Sequence, residues 1–244
     1  MSELADYGYD APYALVIFAV IGIAGVIGAL VGWRDGNRHL TVVMSFYAVF
    51  FLGQAISFYY TTRHGKFVVW NSILDGLHLR GDERVLDMGC GRGAVLNAIA
   101  KRLASGHVTG IDLWSTKDQS GNASDVTTRN ATLEGVLERV TIDTGDMRSL
   151  PFADGSFDLV VSSLAIHNIR GRLDRAKAVA EAWRVLKPGG RLLIADIRST
   201  ALYAKTLETL GAVTTTRRLG WRFWYGNPFA ATSLVTASKP SPRG

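Results

Sequence analysis

One short stretch, Val85–Gly93 (VLDMGCGRG), constrains the fold of this chain more than any other. It predicts a buried strand that ends in an acid, then a glycine loop, then a helix that begins near Ala94. Because glycines lack a Cβ atom, backbone N–H groups and the helix N-terminus can come close to a ligand. The acid at the strand end adds a negative charge, which favours a ligand that carries a cation as well as a nucleoside.

The glycine loop alone leaves a second kind of ligand open. Residues 89–94 also fit the G-x-G-x-x-G/A fingerprint, and Asp112 lies where a ribose-binding acid is expected, so a membrane-associated NAD(P)-dependent oxidoreductase is an alternative. Three features oppose it. The charge of Asp87 would stand beside a diphosphate, a second acidic site follows at Asp146, and the turn Lys187–Gly190 leads into another apolar strand.

Five blocks in order resemble the class I S-adenosylmethionine-dependent methyltransferases, in particular the small-molecule branch that includes the quinone-biosynthesis C-methyltransferases. The blocks are Val85–Gly93, Val108–Asp112, Asn130–Val136, Gly145–Val161 and Val185–Asp196. The resemblance implies an α/β fold, a Rossmann-like seven-stranded methyltransferase sheet with helices on both faces, with S-adenosyl-L-methionine as cofactor. A non-catalytic scaffold that retains the fold is a further alternative, but it would be expected to have lost the acids and glycines of the cofactor site.

The resemblance also implies which residues hold the cofactor. Asp87 would lie near the amino or sulfonium charge, Asp112 at the ribose hydroxyls, and Asp146 at the adenine amino group. Trp114 is placed to stack on the nucleoside. The predicted cofactor-binding set is Asp87, Gly89, Gly91, Gly93, Asp112, Leu113, Trp114, Asp146, Met147, Ser163 and Leu164, and no metal ligands are predicted.

Polar and aromatic residues near the predicted transfer site suggest the acceptor chemistry. His167, after the predicted fourth strand, is the candidate catalytic base because an imidazole accepts a proton near neutral pH; the alternative is a histidine that only caps or packs. Asp196 and Arg198 are other polar candidates. Residues 221–229 contain five aromatics, which would line an apolar acceptor pocket or a membrane-facing rim.

Two uncharged apolar runs precede the methyltransferase blocks. The first extends from Ala11 to Trp33 and the second from Leu40 to Thr62, with Gln54 as its most polar side chain. Each is long enough to cross a hydrocarbon core of roughly 30 Å, so a transmembrane hairpin is predicted. A signal peptide would need a basic N-terminal region, and interfacial helices would need a basic face; the sequence has neither. Two apolar helices that cap a soluble domain are the other alternative.

The predicted organisation follows from these runs. It comprises an N-terminal tail (1–12), a transmembrane hairpin (13–62, with helices at about 13–33 and 40–61), a methyltransferase domain (63–239) and a disordered tail (240–244). An entry helix is expected over residues 67–79. Ala24, Gly28 and Gly32 in the first helix would pack against the second helix or, alternatively, form a homo-oligomer.

Partners and location are predicted from composition and cofactor. The net charge of +6 includes no long basic cluster, which argues against nucleic acid. A multi-pass protein of the cell inner membrane is expected, with its catalytic domain in the cytoplasm, where the cofactor is available. The predicted partners are membrane lipid and a lipophilic small-molecule acceptor that offers a phenol or quinone oxygen, a heteroaromatic nitrogen, a thiol or a lipid headgroup. Cys90, the single cysteine, is expected to pack as a small residue under the glycine loop.

Overall fold

The computed structural model describes residues 4–241, so residues 1–3 of the predicted N-terminal tail and 242–244 of the predicted disordered tail lie outside the described residues. A seven-stranded sheet has the strand order β3-β2-β1-β4-β5-β7-β6. Strand β7 runs antiparallel to both β5 and β6, and the other neighbouring strands pair in parallel. The strands are β1 (Arg84–Met88), β2 (His107–Asp112), β3 (Val140–Thr144), β4 (Phe157–Ser163), β5 (Leu186–Asp196), β6 (Val213–Arg218) and β7 (Ser233–Ser238). The predicted fold class is confirmed.

Helices cover both faces of the sheet because its central strands are apolar on both sides. Val85 of β1 belongs to one buried cluster and the next residue, Leu86, belongs to the other. Such continuous apolar strands are typical of parallel sheets buried on both faces. The covering helices are α3 (Lys66–Asp75), α4 (Ala94–Ala100), α5 (Ser124–Leu133), α6 (Arg172–Val185) and α7 (Thr200–Thr209).

The strand order reverses between β1 and β4, and this reversal positions the site. The chain goes from β1 outward to β2 and β3, then returns to the other side of β1 for β4 and β5. Loops that leave β1 and β4 therefore diverge at the carboxyl edge, where open α/β sheets form their ligand crevice. Asp87 of β1 pairs with Val161 of β4 beside this crevice.

Two long helices precede the sheet, as predicted. They are α1 (Pro12–Arg34) and α2 (Arg38–Tyr60), each of 23 residues, and by length and composition both could cross a membrane. A π-helical turn (Thr61–Gly65) joins α2 directly to α3, so the helix continues over 38 residues. The entry helix expected over 67–79 instead starts at Lys66 without a break and ends at Asp75.

The small residues of α1 pack against α2. A Cβ atom on Gly25 would lie 2.7 Å from the backbone nitrogen of Ala48, and one on Gly32 would lie 2.8 Å from that of Thr41. Of the two predicted uses of the glycine spacing, this contact corresponds to packing against the second helix. The opposite sides of both helices expose apolar side chains, including Val20, Ile27, Val42, Val49 and Ile56.

Candidate active site

A cavity of about 610 Å³ opens at the carboxyl edge of the sheet. Such a volume falls within the range of small-molecule sites. The glycine loop after β1 lines the cavity. Side chains from the start of α1 and the end of α2 line it too, so both parts of the chain contribute to one space.

The glycine loop has a backbone that other residues could not adopt. Gly89, Gly91 and Gly93 have φ values of 74°, 51° and 86°, in the left-handed region that favours glycine. A Cβ atom on Gly89 would lie 2.2 Å from Cβ of Ala165, and one on Gly91 would lie 2.4 Å from Oε1 of Gln119. The positive φ values and, at Gly89, the close approach of Ala165 both favour glycine in this loop.

Asp87, at the end of β1, is a buried carboxylate that lines the cavity. Its side chain is 1% exposed, and neither carboxylate oxygen has a hydrogen-bond partner within the described residues. Burial raises the pKa of the Asp87 carboxyl to about 8, and the charge of nearby Asp112 adds to this rise. An unpartnered acid of this kind is stabilised by a ligand that brings a cation or a hydrogen-bond donor.

Asp112, at the end of β2, shapes the loops around it. Its Oδ2 accepts a hydrogen bond from the Gly91 nitrogen at 2.9 Å, and its Oδ1 accepts from the Trp114 nitrogen at 2.7 Å and from Asn122 at 3.2 Å. Each carboxylate oxygen can accept more than one bond, so capacity remains for ribose hydroxyls. Leu113 lines the cavity, whereas the indole nitrogen of Trp114 donates to Thr144 at 2.7 Å and Trp114 is not part of the lining.

The residues predicted after β3 and β4 also line the cavity. Asp146 is joined to Arg148, whose Nη2 lies 2.6 Å from its Oδ2, and the guanidinium holds the pKa of Asp146 below its usual range. Met147 lies beside them. Ser163 accepts a hydrogen bond at 2.8 Å from the indole nitrogen of Trp70, and Leu164 follows it; both line the same space.

His167 lines the cavity and lies against Asp196, at the end of β5. Nδ1 of His167 is 2.5 Å from Oδ1 of Asp196. The carboxylate also accepts hydrogen bonds from the His167 backbone nitrogen at 3.1 Å and from the Tyr203 hydroxyl at 3.0 Å. Burial, followed by the charge of Asp196, raises the pKa of Tyr203 above its usual range, so this phenol stays a donor. His167 and Asp196 thus form one unit, and Arg198, the third predicted polar candidate, also lines the cavity.

The segment before α1, predicted from the sequence only as an N-terminal tail, contributes residues to the cavity wall. Asp10 lines the cavity, and its carboxylate lies 2.7 Å from Nζ of Lys66 and accepts a 2.8 Å bond from the Tyr225 hydroxyl. Gln119 binds the Arg92 nitrogen through Oε1 and the Tyr7 carbonyl through Nε2. The N-terminal segment is therefore tied to the glycine loop, through partners more than a hundred residues away that a local pattern cannot reveal.

Part of the cavity wall is apolar. Phe18 of α1, Phe58 of α2, and Tyr225 and Ala230 from the segment between β6 and β7 line it, next to the charged pair of Asp10 and Lys66. The rings of Phe58 and Tyr225 are 5.1 Å apart in an edge-to-face arrangement. These aromatic rings offer an apolar contact surface to a ring or chain inside the cavity.

The donor set fits S-adenosylmethionine. The unpartnered Asp87 matches a cationic ligand, whereas the diphosphate of a dinucleotide would offer it no positive charge, which disfavours the oxidoreductase alternative. Glycine-loop N–H groups, Asp112 and Asp146 would offer, in order, partners for a carboxylate, ribose hydroxyls and an adenine amino group. Cys90 packs with its Sγ 2.8 Å from where a Cβ on Gly110 would lie, and burial raises the pKa of its thiol.

Comparison with known proteins agrees with this site. A family model described as "Methyltransferase domain" matches residues 86–194. The demethylmenaquinone methyltransferase of Lactiplantibacillus plantarum is 37% identical over 118 residues, 48% of this chain and 46% of that protein. A ubiquinone/menaquinone biosynthesis C-methyltransferase of Ruegeria is 34% identical over 129 residues, 52% of this chain and 48% of that protein. The chain thus spans about half the length of these curated relatives.

A solved structure shows the same fold. Geranyl diphosphate C-methyltransferase from Streptomyces coelicolor, crystallised with S-adenosyl-L-homocysteine, superposes with a TM-score of 0.57 over 70% of this chain and 77% of that one, at 18% identity. The identity is low, so this likeness concerns the fold alone. Residues 86–194 of this chain thus match the methyltransferase domain family, and its seven-stranded sheet has the class I methyltransferase fold.

Proposed function

We propose that this chain is a membrane-anchored methyltransferase that transfers a methyl group from S-adenosylmethionine to a lipophilic small molecule. The single observation that carries the proposal is the composition of the cavity. Its wall includes the glycine loop and the unpartnered Asp87 together with Phe18 and Phe58 of the two long apolar helices. Groups suited to the methyl donor and side chains suited to an apolar acceptor therefore line one space.

The membrane anchor is supported by the outer surface of α1 and α2. Both helices are about 35 Å long, enough for a hydrocarbon core of roughly 30 Å. Few of their residues are buried in the protein, and the exposed side chains are predominantly aliphatic or aromatic. An apolar surface of this size is typical of lipid contact. The start of α1 and the end of α2 both lie at the methyltransferase domain, which agrees with the N-terminus and the domain being on one side, the cytoplasmic side.

The residues divide the chemistry between binding and proton removal. When bound, S-adenosylmethionine supplies an electrophilic methyl group on a sulfonium sulfur. Asp87 and the glycine loop would hold its charged end, with Asp112 and Asp146 orienting the nucleoside. Ser163 and Leu164 would fix the position of the methyl group beside the acceptor, since transfer depends mainly on alignment.

His167 would take a proton from the acceptor. Nδ1 of His167 lies against the Asp196 carboxylate, so Nε2 is the ring nitrogen that would take the proton of the acceptor. This arrangement favours acceptors that must lose a proton on methylation, such as a phenol or the ring carbon of a reduced quinone. The quinone-biosynthesis methyltransferases among the relatives are consistent with this class.

Binding and turnover in detergent test the proposal. The purified chain should bind S-adenosylmethionine by calorimetry and transfer a radiolabelled methyl group to at least one member of a panel of phenols, reduced quinones and thiols. Asp87→Asn is the matched variant, expected to weaken cofactor binding by about tenfold or more through loss of a charge contact. Absence of cofactor binding by the wild-type chain would refute the proposal. Binding without turnover of any acceptor would favour the scaffold alternative.

The anchor is tested separately. After alkaline carbonate washing of membranes, the wild-type chain should stay in the membrane pellet. Release into the supernatant would show that α1 and α2 only cap the domain. A homo-oligomer through the helices gains no support from the glycine spacing, because those glycines already contact α2.

A further inference from the structure

The aromatic segment between β6 and β7, residues 221–230, packs along the two apolar helices; we call it the aromatic loop. The Trp221 ring stacks on Tyr60 with ring centroids 5.3 Å apart. The Thr61 hydroxyl donates to the Trp224 carbonyl at 2.5 Å. The loop thus contacts α2 at the end nearest the methyltransferase domain and continues from there.

The tip of the aromatic loop extends alongside α2, from its C-terminal end towards its middle. Nδ2 of Asn227 donates to Oε1 of Gln54 at 2.6 Å, and a Cβ on Gly226 would lie 3.2 Å from Cε2 of Phe18. Gln54 precedes Tyr60 by six residues and Phe18 follows Pro12 by six, which is about 9 Å along each helix. The tip is therefore level with residues inside both apolar runs.

The polar contact at Gln54 explains a departure from the apolar pattern. Gln54 is 6% exposed, and a polar side chain inside a membrane helix is stabilised only by a polar partner. The partner is Asn227, whose own Oδ1 accepts from the Phe229 nitrogen at 2.9 Å. The hydrogen bond between Asn227 and Gln54 therefore holds the aromatic loop against α2 within the apolar run.

The outer side of the aromatic loop is apolar and exposed. Phe229 is 98% exposed and Trp221 is 58% exposed, although both lie beside the helices. The guanidinium of Arg222 lies 5.4 Å from the centre of the Trp221 ring. Aromatic rings with a nearby cation are typical of the boundary between headgroups and acyl chains.

We propose that the aromatic loop is embedded in the lipid interface and that, with the first turns of α1, it forms an entrance through which the acceptor passes from the bilayer into the cavity. Ala14, Phe18 and Ala230 line the cavity, so its wall and the lipid-facing surface are made by the same two segments. Tyr13 also lines the cavity and is 56% exposed, which puts an opening beside the start of α1. This inference rests on the proposed function and adds the route of the acceptor.

Insertion of the loop is tested with a fluorescent label in lipid nanodiscs. Phe229→Cys carries a bimane label, and Leu137→Cys is the matched control, an exposed apolar residue before β3 at the opposite edge of the sheet. The native Cys90 is buried, so the wild-type chain serves as the labelling blank. Lipids with a nitroxide on the acyl chain should quench position 229 severalfold more than position 137. Equal quenching at the two positions would overturn the proposal.

The entrance is tested by the chemistry of a cysteine in the cavity wall. Ala14→Cys in nanodiscs is treated with a lipid-soluble benzophenone maleimide and, separately, with a charged methanethiosulfonate. Each reaction rate is divided by the rate of the same reagent with Leu137→Cys. The normalised rate should be higher for the lipid-soluble reagent. A normalised preference for the charged reagent would show that the cavity opens to water only. Neither readout depends on methyl transfer, so failure of the proposed function appears separately, as loss of S-adenosylhomocysteine binding by calorimetry.

Discussion

Nδ1 of His167 lies 2.5 Å from Oδ1 of Asp196, and the Tyr203 hydroxyl donates to the other oxygen of the same carboxylate. The three side chains come from the turn after β4, the end of β5 and α7, which places an anion behind a histidine that lines the cavity. His167 is thus held in place by two elements that do not contain it.

The pair predicts a graded loss of turnover. We expect His167→Ala to lower kcat by about 10²–10⁴-fold, the usual contribution of a positioned general base. Asp196→Asn should give a smaller loss, because the imidazole remains but its orientation and tautomer are less well fixed. Both rates are measured with the acceptor found in the panel, and S-adenosylhomocysteine binding by calorimetry is the control. Unchanged kcat in His167→Ala would show that the acceptor loses its proton to solvent.

Cofactor binding should release a proton. The pKa of Asp87 is raised to about 8, so at pH 7 the empty site is mostly protonated, and a cationic ligand favours the ionised form. We expect release of about one proton per cofactor and an affinity that rises by up to about tenfold per pH unit below pH 8. Calorimetry in buffers of different ionisation enthalpy measures the release.

Asp146→Asn is the matched control for this proton release. Arg148 holds the pKa of Asp146 low, so that group is already ionised at pH 7. Its substitution should weaken binding and leave the proton release unchanged, whereas Asp87→Asn should abolish the release. A release that survives in Asp87→Asn would assign the proton to another group.

The same carboxyl should make the stability of the empty protein depend on pH. The pKa of Asp87 is about 8 in the folded state and about 3.9 in an unfolded chain, so between these values the folded state binds more protons. Stability from this group is full below pH 4 and is lost as the pH rises towards 8. We expect the Tm of the cofactor-free protein to fall between pH 6 and 8 more steeply in wild type than in Asp87→Asn. Equal slopes would contradict the burial of this charge.

Much of the fold and cofactor site could be predicted because the signals are local. Strand β1, Asp87 and the glycines follow one another in the chain, so Val85–Gly93 predicts a strand, an acid at its end and a glycine loop together. The sequence also predicts two last strands near Val213–Arg218 and Thr232–Ser238, and the structure has them at Val213–Arg218 and Ser233–Ser238. Helix α7 was not predicted, and its Tyr203 is the missing third member of the His167 unit.

The rest could not be predicted because it depends on distant contacts. Gly65 and the polar residues before it resemble a boundary between two helices. In the structure the helix continues through Gly65, and the glycine is needed for a different reason. A Cβ there would lie 1.9 Å from the carbonyl oxygen of Arg222, in a segment 157 positions away. The binding role of Asp10 likewise depends on Lys66 and Tyr225, which no local pattern connects to it.

This close approach predicts opposite effects for two glycines of one continuous helix. Gly65→Ala should lower the Tm, with an overpacking cost of about 1–3 kcal/mol, because both the helix and the loop must shift. Gly53→Ala is the matched control: a Cβ there meets nothing within 4 Å, and alanine is the better helix former, so its Tm should be unchanged or slightly higher. Thermal unfolding in detergent measures both. Equal Tm values would show that the loop tolerates displacement at Arg222.

The unbroken helix from Arg38 to Asp75 has a mechanical consequence. A flexible tether would let the methyltransferase domain tumble above the bilayer and present any side to it. A stiff rod instead fixes both the tilt of the domain and its height, and adding one residue to the rod would turn the domain by about 100° around the rod axis. With the proposed membrane anchor and a lipophilic acceptor, enzyme and acceptor would meet by diffusion in two dimensions, with the orientation of one partner already set.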